Sequence, residues 1–314
     1  MSATAHDPPP ALELEVEVEL NSGVVTGAET VPVNKATLYV VATPIGNLSD
    51  ISARATGVLS QAGYVAAEDT RVTRRLLDHY GIRARLIAVH EHNEQRAAGE
   101  VLEILASGGS VALVSDAGTP GISDPGARLV GAAHAAGYAV CPVPGANAAA
   151  AAVSASGFLS PHFLFYGFLP ARSSARRTAL GDLAAAPYSL VFYEAPHRVA
   201  ECVADLAAVM GAARRVLFAR ELTKLFEETH VCALGEAAAW LAANVHRSKG
   251  EYVLVVEGAA ASAPDDLALD KTLAALLEEL PLKQAVALAV KITGVGRNGV
   301  YQRALVLNRE RVNE

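Results

Sequence analysis

The sequence predicts an α/β fold of two domains with a small helical tail. From Thr37 onward, short apolar runs alternate with alanine-rich segments of helical spacing, which is typical of a mostly parallel sheet. After Gly157 the apolar runs lie closer together, which predicts a second domain built on a mixed sheet. The 314 residues are enough for two such domains. The predicted divisions are an N-terminal extension at 1–36, an α/β domain at 37–150, a second α/β domain at 151–260, and a linker with a helical tail at 261–314.

Hydrophobic periodicity predicts the elements of the first domain. Short runs rich in Val, Leu and Ala are typical of strands buried in a parallel sheet, and longer segments with apolar residues three and four apart are typical of helices. The predicted strands lie at 38–42, 64–67, 86–90, 111–115 and 139–143. The predicted helices fill 51–62, 71–80, 93–107 and 125–136, and an alanine-rich helix follows Asn147.

Hydrophobic periodicity also predicts the elements of the second domain and the tail. Five apolar runs predict strands, namely FLFYGF, SLVFYE, RVLFARE, HVCALG and EYVLVVEG, with helices near 173–186, 197–210 and 235–246. The linker at 261–266 precedes helices at 268–280 and 282–292 and a last helix through Asn308. Gly294 and Gly296 turn the chain between the last two helices, which resemble a helix-turn-helix unit. This unit either holds nucleic acid or is a helical hairpin that binds nothing.

The first 36 residues differ in character from the rest. Pro8, Pro9 and Pro10 precede the segment ALELEVEVEL, in which Glu alternates with apolar residues as in a strand. Asn21 and Gly23 follow at once, so we expect a mobile arm. The alternative is an edge strand that pairs only in an oligomer.

Composition excludes several classes of protein. The three cysteines are scattered and form no CxxC pair, so neither a disulfide framework nor a zinc site is indicated. No stretch approaches the ~18 uninterrupted apolar residues of a membrane span, and the N-terminus lacks the pattern of a signal peptide. We therefore expect a cytoplasmic protein without a membrane partner.

The net charge of −7 argues at first against a nucleic-acid partner. Much of it comes from residues 1–36, which hold six carboxylates against Lys35 alone. Basic residues elsewhere form clusters, which either contact phosphates or are solvated surface charge. These clusters comprise Arg172, Arg176 and Arg177; Arg214, Arg215 and Arg220; and Lys283, Lys291, Arg297, Arg303, Arg309 and Arg311.

Three loops that follow predicted strands have the features of ligand-binding turns. The longest lies in VALVSDAGTPGISDPG at 111–126 and contains too many glycines and prolines to continue as strand or helix. Its glycines let main-chain groups approach a ligand, and Asp116 and Asp124 can accept hydrogen bonds. TPIGN at 43–47 and PGAN at 144–147 also follow strands. Such loops usually form the ligand site of an α/β sheet, and the alternative is a plain surface turn.

Eight motifs follow one another in a characteristic order: TPIGNLSDIS, AAEDTR, HEHNE, ALVSDAGTPGISDPG, VPGANAA, FYEAPHR, ARELTK and GEYVLVVEG. This order resembles the ribosomal RNA small subunit methyltransferase I family, which belongs to the tetrapyrrole-methylase-like superfamily. The resemblance covers about residues 37–258, and a related pattern continues to about residue 307. It implies the two-domain tetrapyrrole-methylase-like fold, with a class III S-adenosylmethionine (SAM) methyltransferase activity.

The resemblance also implies a substrate and a site. The substrate is the ribose 2′-hydroxyl of a cytidine in the decoding region of 16S rRNA, on the small ribosomal subunit. The implied cofactor is SAM, held in the cleft between the two domains. The implied working unit is a homodimer. The residues implied to line the SAM site are Pro44, Asp116, Ala117, Gly118, Ile122, Ser123, Asp124, Asn147, Ala148, Tyr193 and Ala195. The residues implied to surround the reacting groups are Glu68, Arg71, Glu194, His197, Arg220 and Lys224.

Each polar cluster also has a structural interpretation. Glu68 and the adjacent Asp69 are placed to cap the following helix, and Glu194 is placed to pair with nearby basic residues. His90 and His92 have acceptable spacing for metal ligands, but SAM chemistry needs no metal and no third ligand is evident. We therefore predict no metal site.

Two other functions remain open for this sequence. One is methylation of a small tetrapyrrole-like acceptor by a relative in the same superfamily. The other is a non-catalytic RNA-binding protein that senses SAM. The EDTR, HEHNE, EAPHR and RELTK motifs, together with the tail, favour the RNA methyltransferase.

Overall fold

The computed structural model describes residues 33–90, 93–259 and 266–312. The first part of the chain forms one five-stranded sheet with its helices. Its strands are β1 (Thr37–Val41), β2 (Gly63–Ala67), β3 (Arg85–Ala88), β4 (Ser110–Val114) and β5 (Ala139–Val143). Its helices are α1 (Ala53–Gln61), α2 (Thr70–His79), α3 (Glu94–Ala106) and α4 (Ala127–Ala135), with a 3-10 turn at Leu48–Asp50.

A second five-stranded sheet and a helical tail follow. The strands of this sheet are β6 (Phe163–Phe168), β7 (Ser189–Glu194), β8 (Arg215–Arg220), β9 (Glu228–Ala233) and β10 (Tyr252–Val256). The helices around it are α5 (Ala148–Ser156), α6 (Ser173–Leu183), α7 (Val199–Met210) and α8 (Leu234–Ala242), with a 3-10 turn at Val245–Ser248. The tail contains α9 (Asp266–Glu279), α10 (Leu282–Thr293) and α11 (Arg297–Val312).

The first sheet is parallel and has the strand order β3-β2-β4-β1-β5. β4 is buried along its whole length, as its uninterrupted apolar run predicts. β5 lies at the edge, where Pro142 is tolerated because no further strand needs its N–H. Successive residues of β4 pack in two different hydrophobic cores. Val114 belongs to one core and Leu113 to the other. The carboxyl ends of all five strands therefore open on one edge between the helices.

The second sheet is mixed and has the strand order β6-β7-β10-β8-β9. β6 and β7 run parallel, and the other neighbouring pairs are antiparallel. Residues of α6, α7 and α8 pack in the core on one face. On the other face, Ala149 and Ala152 of α5 share a buried cluster with Val191 and Val253, so the predicted division after residue 150 falls inside this helix. One parallel and one mixed sheet confirm the predicted fold class.

A buried ion pair joins α6 to α7. Arg176 is 1% exposed and lies 2.7 Å from Asp205, whose other oxygen is 2.6 Å from the half-exposed Arg177. Arg176 also donates a hydrogen bond to the carbonyl of Ala171 at 3.2 Å. The prediction that Arg176 belongs to a solvent-facing basic cluster is therefore wrong, because its guanidinium is occupied inside the protein.

The tail is a compact three-helix unit with a core of its own. Leu273, Val286 and Val300 come from its three helices and are buried together. α10 ends at Thr293 and is capped by Gly294, whose left-handed backbone has a φ of 70°. Arg303 of α11 donates a hydrogen bond to Asp270 of α9 at 2.6 Å. The predicted arrangement of helices around a glycine turn is present.

Some predictions lie outside the described residues. The mobile arm at 1–36 is described only from residue 33, and the linker at 261–266 only at residue 266. His92 and the side chains of Arg309 and Arg311 also lie outside them. Within the described ranges, no helix is long and apolar enough to cross a membrane.

Candidate functional site

The three loops predicted to bind a ligand come together at the carboxyl edge of the first sheet. Thr43 and Gly118 exchange two main-chain hydrogen bonds, with N–O distances of 2.9 and 3.0 Å. The hydroxyl of Thr119 donates to the carbonyl of Ala146 at 3.2 Å. These bonds join the loops after β1, β4 and β5 into one surface.

Close packing explains two of the glycines in this surface. A Cβ atom at Gly145 would lie 2.9 Å from the Cβ of Ala42, which is closer than such atoms approach. Gly118 has a φ of 80°, and a Cβ there would lie 3.2 Å from a side-chain carbon of Ile45. The loops can therefore meet only with glycine at these points.

A cavity of about 500 Å³ lies between this surface and the second sheet. Its walls come from both parts of the chain, so it is a cleft between the two domains. The residues that line it are Ile45, Ala117, Gly118, Thr119, Ile122, Ser123, Asp124, Asn147, Ala148, Phe168, Tyr193, Glu194, Ala195, Pro196, His197, Ala219, Leu222, Lys224, Glu251, Tyr252 and Val253.

The structure brings together nearly all of the residues expected at the cofactor. All of them line the cavity except Pro44 and Asp116. Pro44 directly precedes Ile45 of the lining, and the side chain of Asp116 accepts a hydrogen bond from the main chain of Asp69 at 3.0 Å. These two residues therefore shape the loops behind the cavity wall.

The residues expected around the reacting groups divide into two sets. Glu194, His197 and Lys224 line the cavity. Glu68, Arg71 and Arg220 lie outside its wall and have other contacts. Glu68 accepts a hydrogen bond from the main-chain N–H of Asp116 at 3.4 Å, which places its carboxylate behind the cavity.

Four carboxylates form an acidic cluster at the ends of β2 and β4: Glu68, Asp69, Asp116 and Asp124. Burial raises the pKa of Glu68, and repulsion by the other three carboxylates adds to this rise. Burial, followed by repulsion from Asp116, raises the pKa of Asp124 in the cavity wall. Burial, with a contribution from Asp124, also raises the pKa of the Tyr193 phenol. The cluster therefore favours a ligand that carries positive charge.

Asp69 and Arg71 have a structural role at the start of α2. Asp69 caps this helix by accepting a hydrogen bond from the N–H of Arg71 at 2.8 Å. The guanidinium of Arg71 returns to the same carboxylate at 2.6 Å. Hydrogen bonds from Arg71 lower the pKa of Asp69. The capping interpretation thus applies to Asp69 and not to Glu68.

Replacing Arg71 with Ala is expected to leave the protein folded. The side chain of Arg71 is largely exposed, and exposed ion pairs contribute at most about 1 kcal/mol. Urea unfolding should therefore give a free energy of unfolding close to that of the wild type. A large loss of activity in this folded variant would indicate a role for Arg71 with the substrate, and unchanged activity would remove it from the candidates.

Arg220 is buried at the end of β8 and braces the neighbouring loops. It donates hydrogen bonds to the carbonyls of Lys249 at 2.7 Å, His246 at 2.8 Å and Phe226 at 3.2 Å. These acceptors occupy the guanidinium, so its placement in a basic surface cluster is wrong. The contacts support a structural role, in which Arg220 positions the loops at the edge of the cavity.

The pair of Glu194 and Arg198 also links the cavity wall to its surroundings. Their side chains approach to 3.1 Å, and Glu194 is completely buried. Arg198 then donates to the carbonyl of Leu169 at 2.7 Å, directly after Phe168 of the cavity lining. This pair positions the loop after β6.

Lys224 reaches across the cleft. Its ammonium lies 2.8 Å from both Glu221 and Glu251. Its stem packs against the TPIGN loop, where a Cβ at Gly46 would lie 2.4 Å from the Lys224 Cγ. Gly46 is therefore needed for this contact between the domains.

No group of three candidate metal ligands occurs in the part of the chain that the structure describes. His90, considered above as a metal ligand, donates its main-chain N–H to the side chain of Asn93 at 2.8 Å. Its proposed companion His92 lies outside the described residues.

Several lining residues were not expected from the sequence. Phe168, Tyr252 and Val253 belong to apolar strand runs, which predict core positions. Glu251 and Leu222 lie inside the recognised motifs GEYVLVVEG and ARELTK, but neither was singled out within them. The available signal was membership of these motifs, which lie at strand ends near the cleft.

Family models match two regions of the chain. The model described as Tetrapyrrole (Corrin/Porphyrin) Methylases matches residues 37–238. The model described as RsmI C-terminal HTH domain matches residues 263–308, which contain α9, α10 and most of α11.

Similar proteins and structures agree with these matches. Ribosomal RNA small subunit methyltransferase I of Escherichia coli O157:H7 is 51% identical over 270 residues, which cover 85% of this chain and 94% of that protein. The protein of the same name from Pseudomonas aeruginosa is 50% identical, covering 86% of this chain and 96% of that one. The solved methyltransferase CobJ has the same fold, with a TM-score of 0.53, 23% identity, and coverage of 71% of this chain and 94% of that chain.

Proposed function

Because the chain belongs to the ribosomal RNA small subunit methyltransferase I family, we propose that it methylates the ribose 2′-hydroxyl of a cytidine in the decoding region of 16S rRNA, using SAM. The observation that supports this most strongly is the identity of about one half across nearly the full length of relatives with that name. The small ribosomal subunit is the proposed substrate particle.

The residues around the cavity fit SAM. A volume of about 500 Å³ lies within the usual range for sites of small ligands. The acidic cluster complements the net positive charge of SAM, whose sulfonium and amino groups outweigh its carboxylate. The main chain at Ala117, Gly118 and Ala148 would hold it, with Asp124 and Tyr193 at its polar groups. When bound, SAM supplies a methyl group that its positive sulfur has already activated.

The chain itself must position the ribose hydroxyl and accommodate its proton. A cleft between two domains can exclude water and hold two reactants in the near-attack geometry that such transfers require. Of the cavity-lining side chains, Asp124, Glu194, His197 and Glu251 can accept a proton. The ammonium of Lys224 can stabilise negative charge as it develops on the oxygen.

The remaining properties are proposals from the family resemblance. We propose that the protein works as a homodimer in the cytoplasm, where ribosomal subunits are. The tail would contact RNA through the exposed Lys291 and Arg297 beside the turn between α10 and α11. Light scattering of the full chain, giving twice the monomer mass, would support the dimer.

SAM affinity is expected to fall on acidification at a pH above the usual carboxylate range. Burial is the main reason that the pKa values of Glu68 and Asp124 are raised, and their protonation removes charge that attracts the ligand. The contribution of the same groups to the stability of the ligand-free protein should instead increase on acidification. Each folded pKa lies above its unfolded value, so the contribution of these groups to stability is present at low pH and is lost as pH rises through the folded pKa.

Calorimetric titration of SAM at several pH values tests the expected change in affinity. Urea unfolding at the same pH values tests the expected change in stability. The Asp124→Asn variant should show a weaker pH dependence of binding. Affinity that stays constant through the acidic range would contradict this account.

Transfer of labelled methyl from SAM to purified small ribosomal subunits tests the proposed function. The subunits should come from a strain that lacks this protein, with large subunits and a tetrapyrrole precursor as comparison acceptors. We expect label in the small subunits alone. Transfer only to the tetrapyrrole would establish the small-molecule alternative, and SAM binding without transfer to any acceptor would indicate a sensor.

A further inference from the structure

The loop between β8 and β9 exposes two large apolar side chains beside the cavity. Leu225 is 89% exposed and Phe226 is 67% exposed. Their neighbours Leu222 and Lys224 line the cavity, so the two side chains stand at its edge. Adjacent exposed apolar groups of this size commonly mark a binding surface.

Internal bonds hold this loop in a defined shape. Glu221 and Thr223 adopt the left-handed backbone, with φ values of 48° and 66°, which non-glycine residues rarely do. The N–H of Thr223 donates to the Glu227 carboxylate at 3.0 Å, and the N–H of Lys224 donates to the Glu221 carbonyl at 3.0 Å. Arg220 holds the carbonyl of Phe226 from below at 3.2 Å. The loop therefore presents its apolar tip rigidly.

One exposed cation near this tip has no ion pair within the described residues. The carboxylates of Glu221 and Glu251 are both paired with Lys224, and Glu227 is occupied within the loop. The Arg220 guanidinium that holds Phe226 also holds the main chain of Lys249. The ammonium of Lys249 is exposed and has no ion pair or hydrogen bond within the described residues.

A second exposed aromatic ring lies on the same wall of the cavity, at the end of β6. At the end of β6, Phe168 is in register with Tyr193 of β7. The next residue of β7, Glu194, is in register with Tyr252 of β10. Tyr252 is in turn in register with Arg220 of β8. Three strand spacings therefore separate the end of β6 from the end of β8, a distance of about 14 Å. A nucleoside fits within this length of the cavity wall.

We infer that Leu225 and Phe226 form a stacking platform for a base of single-stranded RNA next to the target nucleotide, with Lys249 at the adjoining phosphate. The inference rests on the proposed function, because that function supplies RNA as the substrate. An exposed aromatic ring beside an unpaired cation is the combination by which proteins hold single strands. A protein partner would match the apolar tip alone.

Substitution of Phe226 tests this inference. We expect Phe226→Ala to lower kcat/KM for small subunits about tenfold, mainly through KM, because stacking on an aromatic ring is worth ~1–3 kcal/mol. SAM affinity should not change. Phe226→Trp should restore the activity and Phe226→Leu should not, since only the former keeps an aromatic face.

Phe163→Ala is the matched control. Phe163 is a 49% exposed phenylalanine at the opposite end of β6, away from the cavity. The Phe163→Ala substitution should leave kcat/KM for small subunits unchanged. Equal activity of Phe226→Ala and wild type would overturn the inference. Full rescue by Phe226→Leu, or a fall in molecular mass of Phe226→Ala, would also overturn it by indicating an apolar contact with protein.

A binding measurement separates this inference from the proposed function. The chain has a single tryptophan, Trp240, so Phe226→Trp adds one indole at the tip. Single-stranded RNA should quench the emission of Phe226→Trp more than that of the wild type, whether or not methyl transfer occurs. Quenching without transfer would leave the inference standing and overturn the proposed function. Transfer by the wild type without such quenching would do the reverse.

Discussion

Replacement of Asp124 with Asn is expected to raise the Kd for SAM by about 10- to 100-fold. Asp124 lines the cavity beside the carboxylates of Glu68 and Asp116, and repulsion from Asp116 helps to raise its pKa. A cationic ligand relieves this repulsion, and a hydrogen bond to a charged group contributes ~1.5–3 kcal/mol. Asn keeps the size of the side chain and removes the charge.

The same substitution should not reduce stability at neutral pH. Burial disfavours the ionised form of Asp124, so its removal takes an unfavourable charge out of the folded protein. Asp182→Asn is the control, because Asp182 is exposed and lies outside the cavity lining. Calorimetry with SAM and urea unfolding should be performed on both variants. Unchanged SAM affinity of the folded Asp124→Asn protein would remove Asp124 from the site.

Replacement of Arg176 with Met is expected to lower the free energy of unfolding by about 3–5 kcal/mol. The substitution leaves Asp205 nearly buried without its closest partner, and removal of one member of a buried pair has an effect of this size. It also releases the carbonyl of Ala171, which Arg176 holds between β6 and α6. We therefore expect the loop after Phe168 to lose its position as well.

Arg177→Met is a closely matched control for this experiment. Arg177 binds the same carboxylate at 2.6 Å but is 54% exposed, so its loss should cost no more than about 1 kcal/mol. The double variant Arg176→Met, Asp205→Leu should recover much of the stability, because no buried charge remains unpaired. Urea unfolding measures all three. Equal losses for Arg176→Met and Arg177→Met would show that the burial of the pair does not determine its contribution.

The position of the cleft could be predicted from the sequence for a simple physical reason. Apolar runs that end in glycine-rich loops indicate parallel strands, and the carboxyl ends of such strands share one edge. Gly118, Asp124 and Asn147 therefore lie together, as this reasoning requires. The strand order itself depends on how the helices pack and was not evident from local patterns.

The other wall of the cleft could not be predicted in the same way. Phe168 and Tyr252 lie in apolar strand runs, and their contact with the cavity depends on how the second sheet faces the first. Arg220 has the charge of a phosphate-binding residue, yet three main-chain carbonyls occupy its guanidinium. The number of acceptors around a side chain is a property of the folded structure, and no spacing in the sequence specifies it.

Identification of the methylated nucleoside tests the central claim most directly. Small subunits treated with this protein and labelled SAM would be digested to nucleosides, and the labelled product would be identified and its position in 16S rRNA mapped. We expect 2′-O-methylcytidine at a single position in the decoding region. Label on a base, on a nucleotide other than cytidine or on several scattered positions would contradict it.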